Sequence, residues 1–588
     1  MTKTPENLIT QHFDTWTQAI ETKSTAGRGS SNKLNLVGIQ KLRELILEMA
    51  VRGLLVPQDS NNEPTNVLLE KIEAEKAQLF KDKKIKKTKA LPEISEDEKP
   101  FDLPSGWEWV RLGEIGNVFN GNSVSARLKA EKYTDVTGLP YIATKDVGYG
   151  FESFDYENGV NIPFGEPKFK VAHQGAVLVC AEGGSAGKKC GIAQKDVCFG
   201  NKLFANELYA NIEPKFILSL YLSPSFFERF SEVMTGIIGG ISRANFLNLI
   251  VQLPPLKEQK RIVAKVDELM VLCDQLESQT LDFIATHQTL VETLLGNLVN
   301  PENTTNFQDA WSLIAQNFDV LFTTEHSIDT LKQTILQLAV MGKLVPQNPN
   351  DEPASELLKK IAAEKAQLIA VKKIKKTKPL PEITEAEKPF DLPSGWEWVK
   401  FNDISFQITD GAHHTPTYTK TGIPFLSVKD MSSGYLSFED TRFISQEQHI
   451  DLCKRCNPEK GDLLLTKVGT TGIPVLIDTD TEFSIFVSVA LIKFSKENLL
   501  GQYLVHLINS PIVKEQSASG TKGVGNKNLV LKTISNFVFP VPPQYEQTRI
   551  VAKVNELMTL CDQLKTQLQT AQQTQIHLAQ SIAQETLK

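Results

Sequence analysis

The sequence predicts a mixed α/β protein written twice: two globular inserts joined by two long antiparallel coiled-coil helices, in an internal pseudo-two-fold repeat. Three observations carry this. Lys71–Val110 returns as Lys360–Val399 with 7 of 40 positions changed, at an offset of 289. Pro254–Leu276 returns as Pro542–Leu564 at an offset of 288. Between these blocks, Trp109–Pro254 and Trp398–Pro542 have nearly equal lengths and hardly any sequence in common. Near-identical frames must make the same contacts twice, whereas unlike inserts do different jobs.

Fainter echoes complete the repeat. Leu42–Pro57 pairs with Leu331–Pro346, and the run starting at Leu8 pairs with that at Leu313 at an offset of 305, so the first copy carries 16 extra residues, mostly around 23–33. The chain then divides into a helical frame (1–100), a first insert (101–255), a long helix (256–300), a second helical frame (301–389), a second insert (390–543) and a C-terminal long helix (544–588).

The long helices follow from a heptad seam. Its positions in the first copy are Ile262, Val266, Leu269, Cys273, Leu276, Thr280, Phe283, His287, Leu290 and Leu294. In the second they are Ile550, Val554, Leu557, Cys561, Leu564, Leu568, Ala571, Gln575, Leu578 and Ile582. Pro254-Pro255 and Pro542-Pro543 stand just before, where a helix can begin but not extend backwards. The polar layer His287/Gln575 is either a register device or a solvent-facing, frayed layer. The lysine-rich runs Lys81–Lys89 and Lys372–Lys378 are either phosphate contacts or solvated linkers.

The inserts read as mixed α/β. Short β-branched runs at Leu139–Ala143, Ala176–Cys180, Pro424–Val428, Leu463–Thr466 and Pro474–Ile477 predict strands. Pro214–Met234 and Asn498–Gln516 predict helices.

Composition narrows the function classes. Formal net charge is −7. Each insert holds 14 basic against 16 acidic residues, a net of −2, so any face for nucleic acid must be local. The N-terminal stretch lacks a signal-type apolar core and no 18-residue apolar run occurs, which places the protein in the cytoplasm with no membrane partner. Seven scattered cysteines do not form a disulfide framework.

No catalytic motif survives inspection. Gly183–Lys189 resembles a phosphate-binding loop, but Glu182 stands where glycine is needed and Lys189 where serine or threonine is needed. The proline pairs lack the flanking polar and aromatic residues that an amino-methyltransferase uses. Cys453-Lys454-Arg455-Cys456 has no second pair in range for zinc, and His413-His414 has no carboxylate-rich helix around it. What remains is a set of glycine- and hydroxyl-rich loops, recurring at matching places in both inserts. They supply the candidate contacts Asn120, Asn122, Ser123, Ser185, Lys188, Ser242, Arg243 and Asn245 in the first insert. The second supplies His413, His414, Thr415, Thr470, Thr471, Lys522, Asn526 and Lys527. Small residues let a backbone approach phosphates, and these side chains can read base edges.

With these residues in view, the chain resembles HsdS, the specificity subunit of type I restriction–modification systems. The resemblance rests on the duplicated Leu-Pro-Pro-x-x-x-Gln-x-Arg-Ile-Val block at Leu253–Val263 and its echo at Val541–Val551. It rests also on Gly138–Ile142 and Gly422–Leu426, each followed by Lys-Asp (Lys145-Asp146, Lys429-Asp430), and on the turn Asp410–Pro416. The Pro-Ser-Gly-Trp-Glu-Trp endings of the frames look like the type IB branch. The resemblance implies that each insert is a target recognition domain for half of a split double-stranded DNA site, with Lys145 and Lys429 among its contacts. It implies that the helices dock methyltransferase subunits (HsdM) while restriction subunits (HsdR) join the complex. S-adenosylmethionine, ATP and Mg would belong to those partners, with no cofactor and no metal in this chain. The first insert shows no match to the Asp-Gly-Ala-His-His turn. Two rivals are a protein–protein scaffold that binds no DNA and a chain with an unrecognised catalytic activity.

Overall fold

A computed structural model describes residues 5–23, 33–85, 90–236, 239–299, 304–523 and 527–587. The chain forms two compact units. The first holds residues 1–283 and 570–588, the second 284–569. Each unit therefore takes the first stretch of one long helix and the last stretch of the other.

Within the first unit, the insert is built on a sheet of strands Gly116–Asn120, Leu203–Leu208, Val177–Cys180 and Cys190–Ile192, in that spatial order and antiparallel throughout. A second small sheet pairs Leu139–Ile142 in parallel with Val197–Phe199. The ends of the insert are closed by Glu108–Arg111 against Ile250–Leu253. In the second unit the same plan recurs. Ser405–Asp410, Val489–Phe494, Leu463–Thr466 and Pro474–Leu476 make the antiparallel sheet, and Ile423–Leu426 runs parallel to Ser484–Ile485. Glu397–Lys400 pairs with Val538–Val541. Two sequences that share almost nothing thus give one topology.

Burial explains why the strands were legible. Val177 and Val179 face the core shared with the helices, while Leu178 and Cys180 face the small-sheet core. Leu463 and Leu465 divide from Leu464 in the same way. A strand covered on both faces reads as an unbroken apolar run. The two expected insert helices are each broken once. Pro214–Leu222 and Pro224–Glu232 meet at Ser223, and Gly501–Asn509 and Pro511–Gly520 meet at Ser510. The residue before a proline is pushed out of the helical region, and both serines are extended, with ψ of 143° and 154°.

The duplicated Gln of the Pro-Pro block is a bolt. Gln259 is fully buried; its Nε2 donates to the Pro254 carbonyl at 2.8 Å and its Oε1 accepts from Glu213 N–H at 2.9 Å. Gln547 makes the same two bonds, to Pro542 and Leu500. In this way the frame fixes where the insert's helices start.

The long helices span Leu256–Val299 and Gln544–Thr586. Ile262, Val266, Leu269, Cys273 and Leu276 are buried, as are Ile550, Val554 and Cys561, with Leu557, Leu564 and Leu568 partly buried. Beyond that the seam departs from strict heptads. Phe283 and Leu290 are 69% and 48% exposed and Leu578 is 44% exposed, while Val291, Leu295 and Ala579 are covered. A straight helix drifts by about 20° per heptad against a 3.5-residue repeat. After four heptads the lag is about 80°, close to the 100° between successive residues, which accounts for Val291 being covered in place of Leu290 and Ala579 in place of Leu578, while Ile582 keeps its heptad place. His287 is buried with a ring nitrogen 3.0 Å from the Val320 carbonyl, not frayed into solvent, and Gln575 is half-buried. Each frame helix grips its long helix by ion pairs: Arg43 with Asp274 and Glu277 at 2.6 Å, and Lys332 with Asp562.

Candidate nucleic-acid interface

The candidate loops gather at one end of each insert's sheet. The first element is a turn. Strand Gly116–Asn120 runs into Gly121-Asn122, and strand Ser405–Asp410 into Gly411-Ala412. Asn122 N–H bonds the Phe199 carbonyl at 2.9 Å, and Ala412 N–H bonds the Ile485 carbonyl at 2.9 Å. A Cβ on Gly121 would stand 2.0 Å from the Phe199 oxygen, and one on Gly411 1.9 Å from the Ile485 oxygen. Only glycine permits that approach. The missing counterpart of the Asp-Gly-Ala turn in the first insert is therefore Asn120-Gly121-Asn122. Sequence comparison missed it because the shared requirement is a single glycine after an Asx.

The second element is a pair of loops that hold each other. Gly183 N–H donates to the Gly239 carbonyl at 2.9 Å, and Gly469 N–H to the Lys527 carbonyl at 3.0 Å. Isolated bridges Glu182–Gly240 and Val468–Asn528 lie beside these bonds. Gly183–Gly187 joins two antiparallel strands, whereas a phosphate-binding loop would open a helix.

Around this shared backbone the polar groups differ. In the first insert Lys170 Nζ donates to Asn120 O and Oδ1 at 2.8 and 3.2 Å, while Asn122 Oδ1 accepts from Lys170 N–H. In the second, Asp410 is buried under three cationic or ionisable groups: Arg455, Lys467 at 3.2 Å and His413 at 2.9 Å. Sequence reading singled out neither Lys170, Arg455 nor Lys467; only Arg455 had a signal, inside the Cys-Lys-Arg-Cys run. Burial pushes the Cys453 thiol up and Cys456 to about 12, which keeps both as thiols near neutral pH. Asp146 and Asp430, buried beside Lys145 and Lys429, accept from Ala143 and Ser427 N–H at 2.8 and 2.7 Å and pin the strand ends.

Several candidates are engaged by the fold itself. Ser242 caps the short helix Arg243–Asn248 through Asn245 N–H, Arg243 Nε donates to Val118 O at 2.7 Å, and Asn245 Nδ2 reaches Val233 O at 3.4 Å. Lys429 is tied to Asp440. Ser185 and Thr471 are half-buried. Ser123, Lys145, Lys188, His414, Thr415, Thr470, Lys522 and Lys527 are exposed, with Lys188 lying 5.5 Å from the Phe227 ring centroid. Asn526 falls outside the described residues.

Comparison with known proteins gives the following. A family profile described as "Type I restriction modification DNA specificity domain" matches twice, at residues 104–285 and 393–572. The chain is 40% identical over 587 residues to the type I restriction enzyme EcoAI specificity subunit of Escherichia coli, covering 98% of both. It is 38% identical over 602 residues to the EcoEI specificity subunit of Escherichia coli, again covering 98% of both.

Proposed function

Because the chain belongs to the type I restriction–modification DNA specificity family, we propose that insert 101–255 and insert 390–543 each read one half of a split site on double-stranded DNA. The observation that carries this is one backbone platform carrying unlike polar groups: Asn120, Asn122 and Lys170 on one copy, exposed His413 and Arg455 over buried Asp410 and Lys467 on the other. Direct readout needs such differences at base edges, while the supporting backbone is reusable. The exposed lysines and hydroxyls of the loops supply phosphate contacts, and the long helices dock the methyltransferase subunits (HsdM) and set the distance between the readers. Restriction subunits (HsdR) complete the assembly. S-adenosylmethionine, ATP and Mg act in those partners, in the cytoplasm, and this chain supplies recognition without catalysis.

A mobility-shift titration tests the reading, with the chain bound to its methyltransferase subunits and a bipartite duplex at several salt concentrations. Affinity should fall with log salt at a slope of about −0.9 per phosphate neutralised, and should collapse when either half-site is scrambled. A complex that assembles but ignores both scrambles would overturn it.

A further inference from the structure

The second insert contains two arginines. Arg455 is bound to Asp410. Arg442 is different. It stands at the start of strand Arg442–Ile444, opposite Phe425, and its guanidinium lies 4.5 Å from the ring centroid of Tyr418. Among the described residues no carboxylate lies within 4.0 Å of it; Asp440, two residues earlier, is held by Lys429 at 2.8 Å and feels Arg442 only at longer range. Arg442 lines a cleft of about 410 Å³ together with Tyr418, Phe425, Phe486, Lys429 and Gly469. Gly469 is the residue that bonds the Lys527 carbonyl, so the cleft opens beside two of the glycine loops.

A guanidinium held over an aromatic face is restrained in position while its N–H donors stay available to a ligand. A phosphate can accept the same fork, and differs in weakening all sequences uniformly when the charge is lost. A preset planar fork suits an acceptor pair with matching spacing, and in the major groove guanine offers one in O6 and N7. The first insert supports the same conclusion by contrast. Its residue opposite Tyr141 is Val160, whose carbonyl accepts from Tyr141 N–H, and its stacked cation is Lys129, 4.7 Å from the Tyr141 ring centroid. The cation at this sheet edge changes in both kind and place between the copies, as a residue that distinguishes half-sites must.

We infer that Arg442 reads a guanine through two parallel hydrogen bonds in the half-site bound by the second insert, with Tyr418 as its positioning residue. This rests on the reading of the inserts as DNA readers. The test uses the full chain with its methyltransferase subunits: the methylated motif is mapped across a host genome for wild type, Arg442→Lys, Arg442→Ala and Tyr418→Leu, and competition binding is measured on single-base variants of the site. Arg442→Lys keeps the charge and loses the fork. It should cut discrimination at one G·C pair of the second half-site by roughly 10- to 100-fold, leave the first half-site intact, and be matched in position by Tyr418→Leu. Three results would overturn the inference. One is normal specificity in Arg442→Lys. Another is uniform weakening of all sequences in Arg442→Ala with the salt slope reduced by about one, the mark of a phosphate contact. The third is a wild-type second half-site without guanine. A wild-type complex with no base preference in that half would instead sink the parent reading.

Discussion

In the first insert the turn after strand Gly116–Asn120 is knit by amides and one lysine; in the second the equivalent turn is knit by one carboxylate beneath Arg455, Lys467 and His413. The backbone hydrogen bond and the glycine are the same in both. The difference teaches how recognition can be varied cheaply. What the fold needs is a close approach of two backbones, fixed by Gly121 or Gly411. The polar groups around that approach are free to differ, because they bond chiefly to one another: Lys170 with Asn120 and Asn122, and Asp410 with Arg455, Lys467 and His413.

The largest expected effect separates the shared frame from the inserts. Val291→Asp places a charge at a position only 1% exposed and should cost several kcal/mol in thermal or urea unfolding. The adjacent Leu290→Asp, on the exposed side of the stepped seam, should change stability by less than about 0.5 kcal/mol. Equal losses for the two would break the account of the seam. Gly121→Ala and Gly411→Ala come next, at about 1–3 kcal/mol each through forced overpacking. In binding assays the first should abolish recognition of one half-site and the second that of the other. A single variant that damages both halves, or neither, would end the equivalence of the two turns.

An effect of similar size tests the frames. Glu546 is buried and accepts from Trp396 Nε1 at 3.1 Å and Gln347 Nε2 at 2.7 Å, and burial pushes its carboxyl above the usual range. Glu546→Ala orphans the indole N–H and should cost about 1–3 kcal/mol. Glu546→Gln keeps an acceptor, removes the buried charge, and should melt at or above wild type. The smallest effect distinguishes the copies by pH. Burial lowers the protonation constant of His506 below the usual 6.5, while the matching position in the first copy is Ser219. As pH falls below about 6.5, the unfolded chain takes up a proton that the folded chain refuses, so the second unit loses stability on the acid side. Protection of helix Gly501–Asn509 against hydrogen exchange, corrected for the intrinsic rate at each pH, should fall between pH 7 and pH 5.5, and His506→Ser should flatten that response. An unchanged profile in the variant would assign the effect elsewhere.

Much of this architecture was legible in the sequence because frames obey local rules. The Pro-Pro-x-x-x-Gln block recurs because Gln259 and Gln547 each close the same pair of backbone bonds. Continuous apolar runs such as Leu463–Leu465 marked strands buried on two faces. The helix breaks at Ser223 and Ser510 were signalled by the prolines that follow, but apolar periodicity continued through them and masked the break. The seam step was invisible to a strict heptad, since it arises from accumulated drift rather than from any residue. The site was hardest to read. Arg455 and Lys467 reach Asp410 from positions 45 and 57 residues away, and Arg442 gains its meaning only from Tyr418 across a sheet edge. No spacing rule links such residues before the chain has folded.

The exchange of helix ends has a consequence for biosynthesis. Ala579 and Ile582 belong to the core that also contains Trp16, Ile39 and Leu42. A ribosome delivers the N-terminal half first, so that half must wait with an uncovered apolar face until residues 570–588 have been translated. Non-local closure of this kind slows folding and lengthens the interval in which sticky surface is open to other chains. A stop codon placed just before residue 570 would leave that face permanently bare, and pulse-labelled nascent chains of that length should resist protease less well than the full product. Completion of the first unit is thereby coupled to translation of residues 570–588, so a message terminated before them leaves the first unit without part of its core.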